Sequence, residues 1–598
     1  MALARRYAPF LLLAIAQLFL VIVVPSKAPR ATALGTYGGG GATGGGVAAG
    51  GTGGGGTGDV GATGGTGGAA AGGGGGVTGG AGGAGGGGVA GGGSGGAVGG
   101  GAAGGSGGAG GGGVAGGGTG GGSGAPTAGL KGDPTHCVAG KQVDDSVYLG
   151  GGAVSPPCTP RFAGNNGGAT APGVSKDSIN VIYYRPQENQ AVDAALQAES
   201  LYSSPADDKA FLAKAQDWAN ARYELYGRKL NIQEIQGNCA YAAPDTACLR
   251  GEASGIISQY HPFAMIWATQ VAPEFYDEYS RRGIMNFGGW HFDDSFSTQR
   301  RPLHWDVFMG GTFQSKLAGE FWCKELAGKP ARFAGSPTLK TKTRKLGIFV
   351  PDNPTFSSTG QELASIVKGC GSAVEVVQYS QDTSTAAEQA TSQISKLSGD
   401  GVTSIMCVCD PIAPSYFTKA ATAQAYFPEW PMVGSGLIDY DALARLYDSQ
   451  QWALAFGLSD LGQPVQFEQS DAAVVWRQAG GSGSPAARGA NLPLAYVSFI
   501  GYGVDLAGPN LTAAAFEAGM FNSAPVHPYA STHDPRKSQL HAFPGKYNLI
   551  ADARLVYWDN TATSSLDGKQ GAYIPINGGA RYSYGAVPNG EPPLPGTV

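Results

Sequence analysis

Eight cysteines carry the most readable chemistry in this 598-residue chain: Cys137, Cys158, Cys239, Cys248, Cys323, Cys370, Cys407 and Cys409. An even number without CxxC spacing suits disulfides better than a four-thiolate zinc site. Cys137 and Cys158 bracket a Gly/Pro-rich stretch, and Cys239 and Cys248 bracket a short loop holding Pro244 and Asp245. Each of these pairs is expected to close locally, for roughly 2–3 kcal/mol of stability. Cys407 and Cys409 alternate on a β-rich segment and face one side of it; they could bond Cys323 and Cys370 in either order, and the pairing of these four stays open.

Catalytic groupings are poor by comparison. HExxH is missing, and around Gly434-Ser435-Gly436 the glycine that a nucleophile elbow needs two residues before its serine is Val433. His291, Asp293, Asp294 and Ser295 crowd together in sequence, and side chains so close along the chain diverge rather than assemble a triad. Asp144-Asp145 and Asp207-Asp208 are adjacent carboxylates, not the facing pair that glycoside hydrolysis requires. The chain is therefore expected not to be an enzyme, with a secreted hydrolase as the weakest alternative. No cofactor is expected.

The chain that carries these residues is uneven. Arg5 and Arg6 precede an apolar run over 8–24, and Ala31-Thr32-Ala33 follows it. That is the layout of a secretory signal or, at this length, an uncleaved anchor. An exported protein of the cell envelope or the medium is expected. Of 104 glycines, 56 fall in 35–124, where Asp59 is the one charge. Glycine there has no period of three, which rejects collagen, and the Ala, Val, Thr and Ser between cannot bury enough area to offset chain entropy. GxGxxG matches in that tract follow no strand and so make no phosphate site. A flexible tether is the expectation. The formal charge of -5 is spread without a basic block, so nucleic acid is not an expected partner.

Beyond the tract, strand and helix patterns alternate. Strands are predicted at 179–184, 230–235, 263–267 and 284–287, with helices at 207–226, 245–259 and 273–282 between them. The alternation restarts with strands at 345–350, 374–377, 402–408 and 431–433 and helices at 360–368, 386–397 and 414–425. Strands separated by helices imply parallel sheets covered on both faces. The expected fold is α/β, with two doubly wound parallel-sheet lobes, a hinge and an interlobe cleft, preceded by a disordered Gly-rich linker. The expected boundaries are 1–33 for the signal or anchor, 34–125 for the linker and 126–172 for an irregular Cys-containing lead-in. The first lobe spans 173–330, completed by part of 455–550, and the second spans 331–454, completed by part of 551–598. Ligands of such sheets bind beyond the carboxyl ends of the strands. Arg185 sits at one such end and could hold an anion bidentately or serve in a salt bridge. Trp267, also at a strand end, reads as core.

Gly173-Val174-Ser175-Lys176-Asp177-Ser178-Ile179-Asn180-Val181 and Leu346-Gly347-Ile348-Phe349-Val350-Pro351-Asp352-Asn353 open the two lobes. With Cys407-Val408-Cys409-Asp410-Pro411, Pro428-Glu429-Trp430-Pro431 and the order of segments over roughly 150–560, the chain resembles the periplasmic-binding-protein type I family. More narrowly, it resembles the substrate-binding proteins of branched-chain amino acid-type ABC transporters, in an actinobacterial-type branch with extra cysteines. The resemblance implies a Venus-flytrap receptor that closes on a small solute and presents it to an ABC permease in the membrane. A monomer is expected.

The resemblance also implies pocket residues: Ala268, Thr269 and Gln270 for a ligand carboxylate, Trp290 and His291 from the next loop, and Phe356, Asp410 and Ser435 from the second lobe. Ser435 stands where amino-acid binders commonly place an acid for the ligand ammonium, and Asp410 could compensate. Asp410 before Pro411 equally fits a helix N-cap. The expected solute is thus amino acid-like, or a related organic acid or amide, rather than a standard branched-chain amino acid. An extracellular sensing domain coupled to a signalling partner is the alternative.

Because the glycine tract has no side chains able to dock on a core, deleting residues 35–124 is expected to leave the melting temperature unchanged. Differential scanning calorimetry of the deletion protein checks this, and a large drop would make the tract part of the fold.

Overall fold

Ser178–Arg185 (β1), Lys229–Gln236 (β2), Ala264–Trp267 (β3), Met285–Gly288 (β4) and His304–Trp305 (β5) form one sheet in the order β2-β1-β3-β4-β5, every pairing parallel. β3 and β4 are buried at every residue, as central parallel strands covered on both faces must be. The computed structural model describes residues 127–132, 137–138, 141–142, 154–239, 245–267, 272–289, 292–526 and 537–594. The expected signal segment, all of the glycine-rich linker and much of the lead-in lie outside the described residues.

The helices that flank this sheet follow from local signals. Pro205–Arg222 starts on Ser204, whose hydroxyl accepts from the Asp207 amide at 3.2 Å, and it buries Phe211, Leu212, Ala215, Trp218 and Ala219 against the strands. It ends before the predicted 226 because Tyr223 leaves the helix with an extended backbone and donates its buried hydroxyl to Val154 O at 2.5 Å. Thr246–Tyr260 is capped by Asp245 and closes on His261 in the left-handed conformation. Trp267 is 1% exposed and packs edge-on against Tyr184 and Phe275, with centroids 5.0 and 4.8 Å away, so it is core. The lobe is completed from far along the chain, where Asn491–Ala507 packs against Pro205–Arg222.

The second lobe is built on Leu346–Pro351 (β6), Val374–Tyr379 (β7) and Ser404–Cys407 (β8), in the parallel order β7-β6-β8. A parallel bridge between Ser404 and Glu429 leads on to Trp430–Met432 (β9), which pairs in parallel with Ala455–Ser459 (β10). Ala553–Thr563 (β11) then joins β10 antiparallel, followed by Gln570–Pro575 (β12), while Arg581–Tyr582 (β13) pairs with β11. The parallel sheet is thus extended by an antiparallel margin of C-terminal strands.

Two disulfides close the expected local loops, Cys137–Cys158 and Cys239–Cys248, with Cα atoms 5.4 and 5.8 Å apart. The pairing left open among the other four cysteines is Cys323 with Cys370 and Cys407 with Cys409. Helix packing decides it. The helix Gly311–Phe321 and the π-turn Trp322–Leu326 after it lie along Pro354–Gly369, which brings the Cα atoms of Cys323 and Cys370 to 5.9 Å. Cys407 and Cys409 face the same side, as expected, and meet each other across 5.2 Å. Among the described residues no helix is long and apolar enough to cross a membrane.

One ion pair ties the second lobe together at the amino ends of its strands. Arg344, two residues before β6, places Nε and Nη2 on the two oxygens of Glu429, each at 2.9 Å, and both residues are buried. Glu429, just before β9, also accepts from Ser404 Oγ at 2.6 Å and Phe333 N at 3.0 Å. Arg344 Nη1 reaches Glu591 in the C-terminal segment at 2.7 Å. Removing one member leaves the other charged and dry. Arg344→Met is therefore expected to cost about 3–5 kcal/mol, and Arg344→Met with Glu429→Leu less than the single change. Urea unfolding of both variants measures this.

Candidate functional site

The chain leaves β1, β6, β8, β9 and β10 on one side, and the segments that follow border a single cavity of about 430 Å³. Arg185 and Asp208 come from the first lobe; Phe356, Asp410, Asp439 and Leu461 come from the second. Arg488 and Asn491 are added where the chain enters the helix Asn491–Ala507. A volume in this range suits a small organic solute.

Two of the charged groups at the rim, Arg185 and Asp410, have work within the protein. Arg185 Nη1 pairs with Asp208, and its Nε lies 3.5 Å from Glu234 Oε1, with the arginine side chain 18% exposed. The salt-bridge reading of Arg185 is therefore the geometry found. Asp410 Oδ1 accepts from the amides of Ile412 and Ala413 at 2.9 and 3.0 Å, where the helix Ala413–Ala423 begins. Its Oδ2 accepts from the Tyr379 hydroxyl at 2.6 Å. Burial, and then the Asp410 carboxylate, push the Tyr379 phenol well up and keep it a donor. Phe356 lies in the first turn of Pro354–Gly369 and is 1% exposed, so it borders the cavity from the core.

Of the other residues expected from the sequence, Ser435 opens the short turn Ser435–Leu437, whose last residue borders the cavity. Ala268, Thr269, Gln270, Trp290 and His291 lie outside the described residues.

Sequence reasoning stopped one turn short in the second lobe. Asp439, Tyr440 and Asp441 border the cavity, four to six residues after Ser435 would have been reached from β9 by counting on from the strand end. Their signal was the repeated acid in Ile438-Asp439-Tyr440-Asp441, directly after a Gly-Ser-Gly turn. Asp439 Oδ2 accepts from Ser459 Oγ at 2.7 Å and from Leu461 N at 3.4 Å, its Oδ1 has no hydrogen-bond partner among the described residues, and the Asp460 carboxyl lies beside the same group. Burial and the facing carboxylate push Asp460 well up, and burial pushes Asp439 up as well. Gly434, at φ +68°, makes this approach possible: a Cβ there would stand 2.9 Å from Asp460 N and 3.3 Å from Asp439 Oδ2. Asp441 accepts from Ser564 Oγ at 2.6 Å and Tyr573 N at 3.0 Å, and burial raises it too.

No protein-family model matches the chain, and no curated protein matches it. Solved structures do match. A substrate-binding protein of an ABC transporter from Aeropyrum pernix is 13% identical, with 68% of this chain and 96% of that one covered and a TM-score of 0.45. A solute-binding protein from R. palustris in complex with 4-hydroxybenzoate is 12% identical, covering 67% and 97%, with a TM-score of 0.47. A substrate-binding protein from Desulfitobacterium hafniense in complex with Leu is 11% identical, covering 67% and 99%, with a TM-score of 0.41. The chain is distantly similar in structure to ABC transporter solute-binding proteins.

The Asp439–Asp460 pair has a pH signature. Folded-state values raised above the unfolded carboxylate range, near 4, mean that the folded protein binds more protons above that pH. Stability from the pair is then present at low pH and is lost as pH rises from about 4 through the raised values. Asp460→Asn removes the repulsion and gives Asp439 an amide donor. Its melting temperature is expected to fall less than the wild type's between about pH 5 and 8; parallel curves for the two proteins would refute the repulsion between the two carboxyl groups.

Proposed function

We propose that this chain is an extracytoplasmic solute receptor whose two lobes close on a small organic molecule and deliver it to an ABC permease. The observation that carries the reading is the cavity of about 430 Å³, bordered by residues of both lobes where five parallel-sheet strands end. Open α/β sheets place their ligands at that edge, and a cavity shared between lobes couples occupancy to their relative position. The lead-in sequence, the order of segments over both lobes and the resemblance they carry agree with it. So does the pairing of all eight cysteines as disulfides, which suits an oxidising compartment.

Neither Arg185 nor Asp410 is free to serve as the main anchor, because the first is paired with two acids and the second caps a helix. Recognition accordingly falls to the apolar walls and to the acids after β9.

A melting screen with amino acids, amides, short peptides, aromatic acids and small amines tests the proposal. A ligand at 100 times its dissociation constant adds about 2.7 kcal/mol. At least one class is expected to raise the melting temperature and to shrink the radius of gyration in small-angle scattering. A screen with no shift in either quantity would remove the proposal.

A further inference from the structure

The charges around the cavity are lopsided. Six carboxyl side chains border it, from Glu188, Asp193, Asp208, Asp410, Asp439 and Asp441, against two guanidinium groups, Arg185 and Arg488. Arg185 is already engaged, and Arg488 is the more open of the two, with its side chain 45% exposed. Arg185 is held by Asp208 and Glu234, while Arg488 lies over the Phe467 ring at 4.7 Å and 3.9 Å from Glu468. Among the described residues, Glu188, Asp193, Asp410, Asp439 and Asp441 have no ion-pair partner. Behind Asp439, Asp441 and Asp460 the buried guanidinium groups of Arg554 and Arg581 offset part of this charge, and the excess of acids at the cavity itself remains. Asp439 is 3% exposed, and its Oδ1 has no neutral or cationic donor among the described residues.

The rest of the wall is apolar and aromatic. Tyr183, Tyr202, Phe308, Phe356 and Tyr440 border the cavity, with Leu196, Leu201 and Leu461 between them. Aromatic faces attract cations, most strongly where water is excluded. A carboxylate solute would meet six carboxyl groups against two guanidinium groups, an arrangement that disfavours one charge sign as it favours the other.

From this juxtaposition we infer that the solute is an organic cation, an ammonium group on an aromatic or otherwise apolar body, rather than an organic acid. The ammonium sits against the acids that follow β9, and the apolar body lies along the aromatic wall. This rests on the solute-receptor reading and narrows it to a chemical class.

Benzylammonium and benzoate, which share a ring and a size and differ in charge, are the probes, with benzyltrimethylammonium as a bulkier cation. Isothermal titration of the full chain at pH 7 is expected to give at least about tenfold tighter binding for benzylammonium than for benzoate, with a preference that declines as salt is added. Asp439→Asn is expected to weaken benzylammonium about tenfold or more. Should that variant fail to fold, Asp193→Asn, at a half-buried position, reads the same preference with a smaller loss. Benzoate binding more tightly than benzylammonium overturns the charge assignment and leaves the receptor reading standing. Binding of neither probe also overturns it; the wider melting screen then decides separately whether the receptor reading survives.

Discussion

The second lobe depends on one buried ion pair. Arg344 and Glu429 are dry, and dry charges are tolerated only when their hydrogen-bonding capacity is met. Here Glu429 takes two bonds from the guanidinium, one from Ser404 and one from the Phe333 amide, while the guanidinium keeps a further bond to Glu591. Those partners stand at the amino ends of β6, β8 and β9, in the segment entering the lobe and near the C-terminus. One charge pair thus fixes how three strands start relative to one another. Strands that start in register also end in register, and the segments at their far ends form the cavity wall.

That division of labour explains which polar groups are left for recognition. Residues with a strong local role are consumed by it: Asp410 by two helix amides and a phenol, Arg185 by two acids. The acids after β9 are different. They are buried, their carboxyls are held above the usual range, and Gly434 lets two of them crowd together. Burial of carboxyl groups beside an apolar cavity is costly, and the hydrogen bonds from Ser459, Ser564 and Tyr573 and the neighbouring Arg554 offset only part of that cost.

Much of the framework was legible because its signals are local. β3 and β4 read as short apolar runs because both their faces are covered, and helix starts follow from Ser204 and Asp245. Asn491–Ala507 left no amphipathic stripe, since nearly every residue from Pro493 to Asp505 is buried. Its Gly503 has a spatial reason that no local pattern announces, because a Cβ there would collide with the Phe516 ring. The pairing of Cys323 with Cys370 likewise depends on two helices lying side by side, which spacing along the chain does not encode. Around the cavity, Phe356 and Asp410 could be placed at strand ends by counting, whereas Asp439 and Asp441 required knowing how far the turn after Gly434 carries the chain.

The return of Asn491–Ala507 to the helix Pro205–Arg222 also sets an order of assembly. A chain that emerges amino end first presents β1 to β5 long before the helix that covers them exists. The first lobe must therefore wait, incomplete, while the parallel part of the second lobe is made, and its closing contacts span nearly 300 residues. The Cys239–Cys248 bridge can form within the waiting segment. Phe287 of β4, whose ring centroid lies 5.4 Å from that of Phe499 in the late helix, has no such early partner there, so the nascent first lobe is the part of this protein that most needs a holding chaperone.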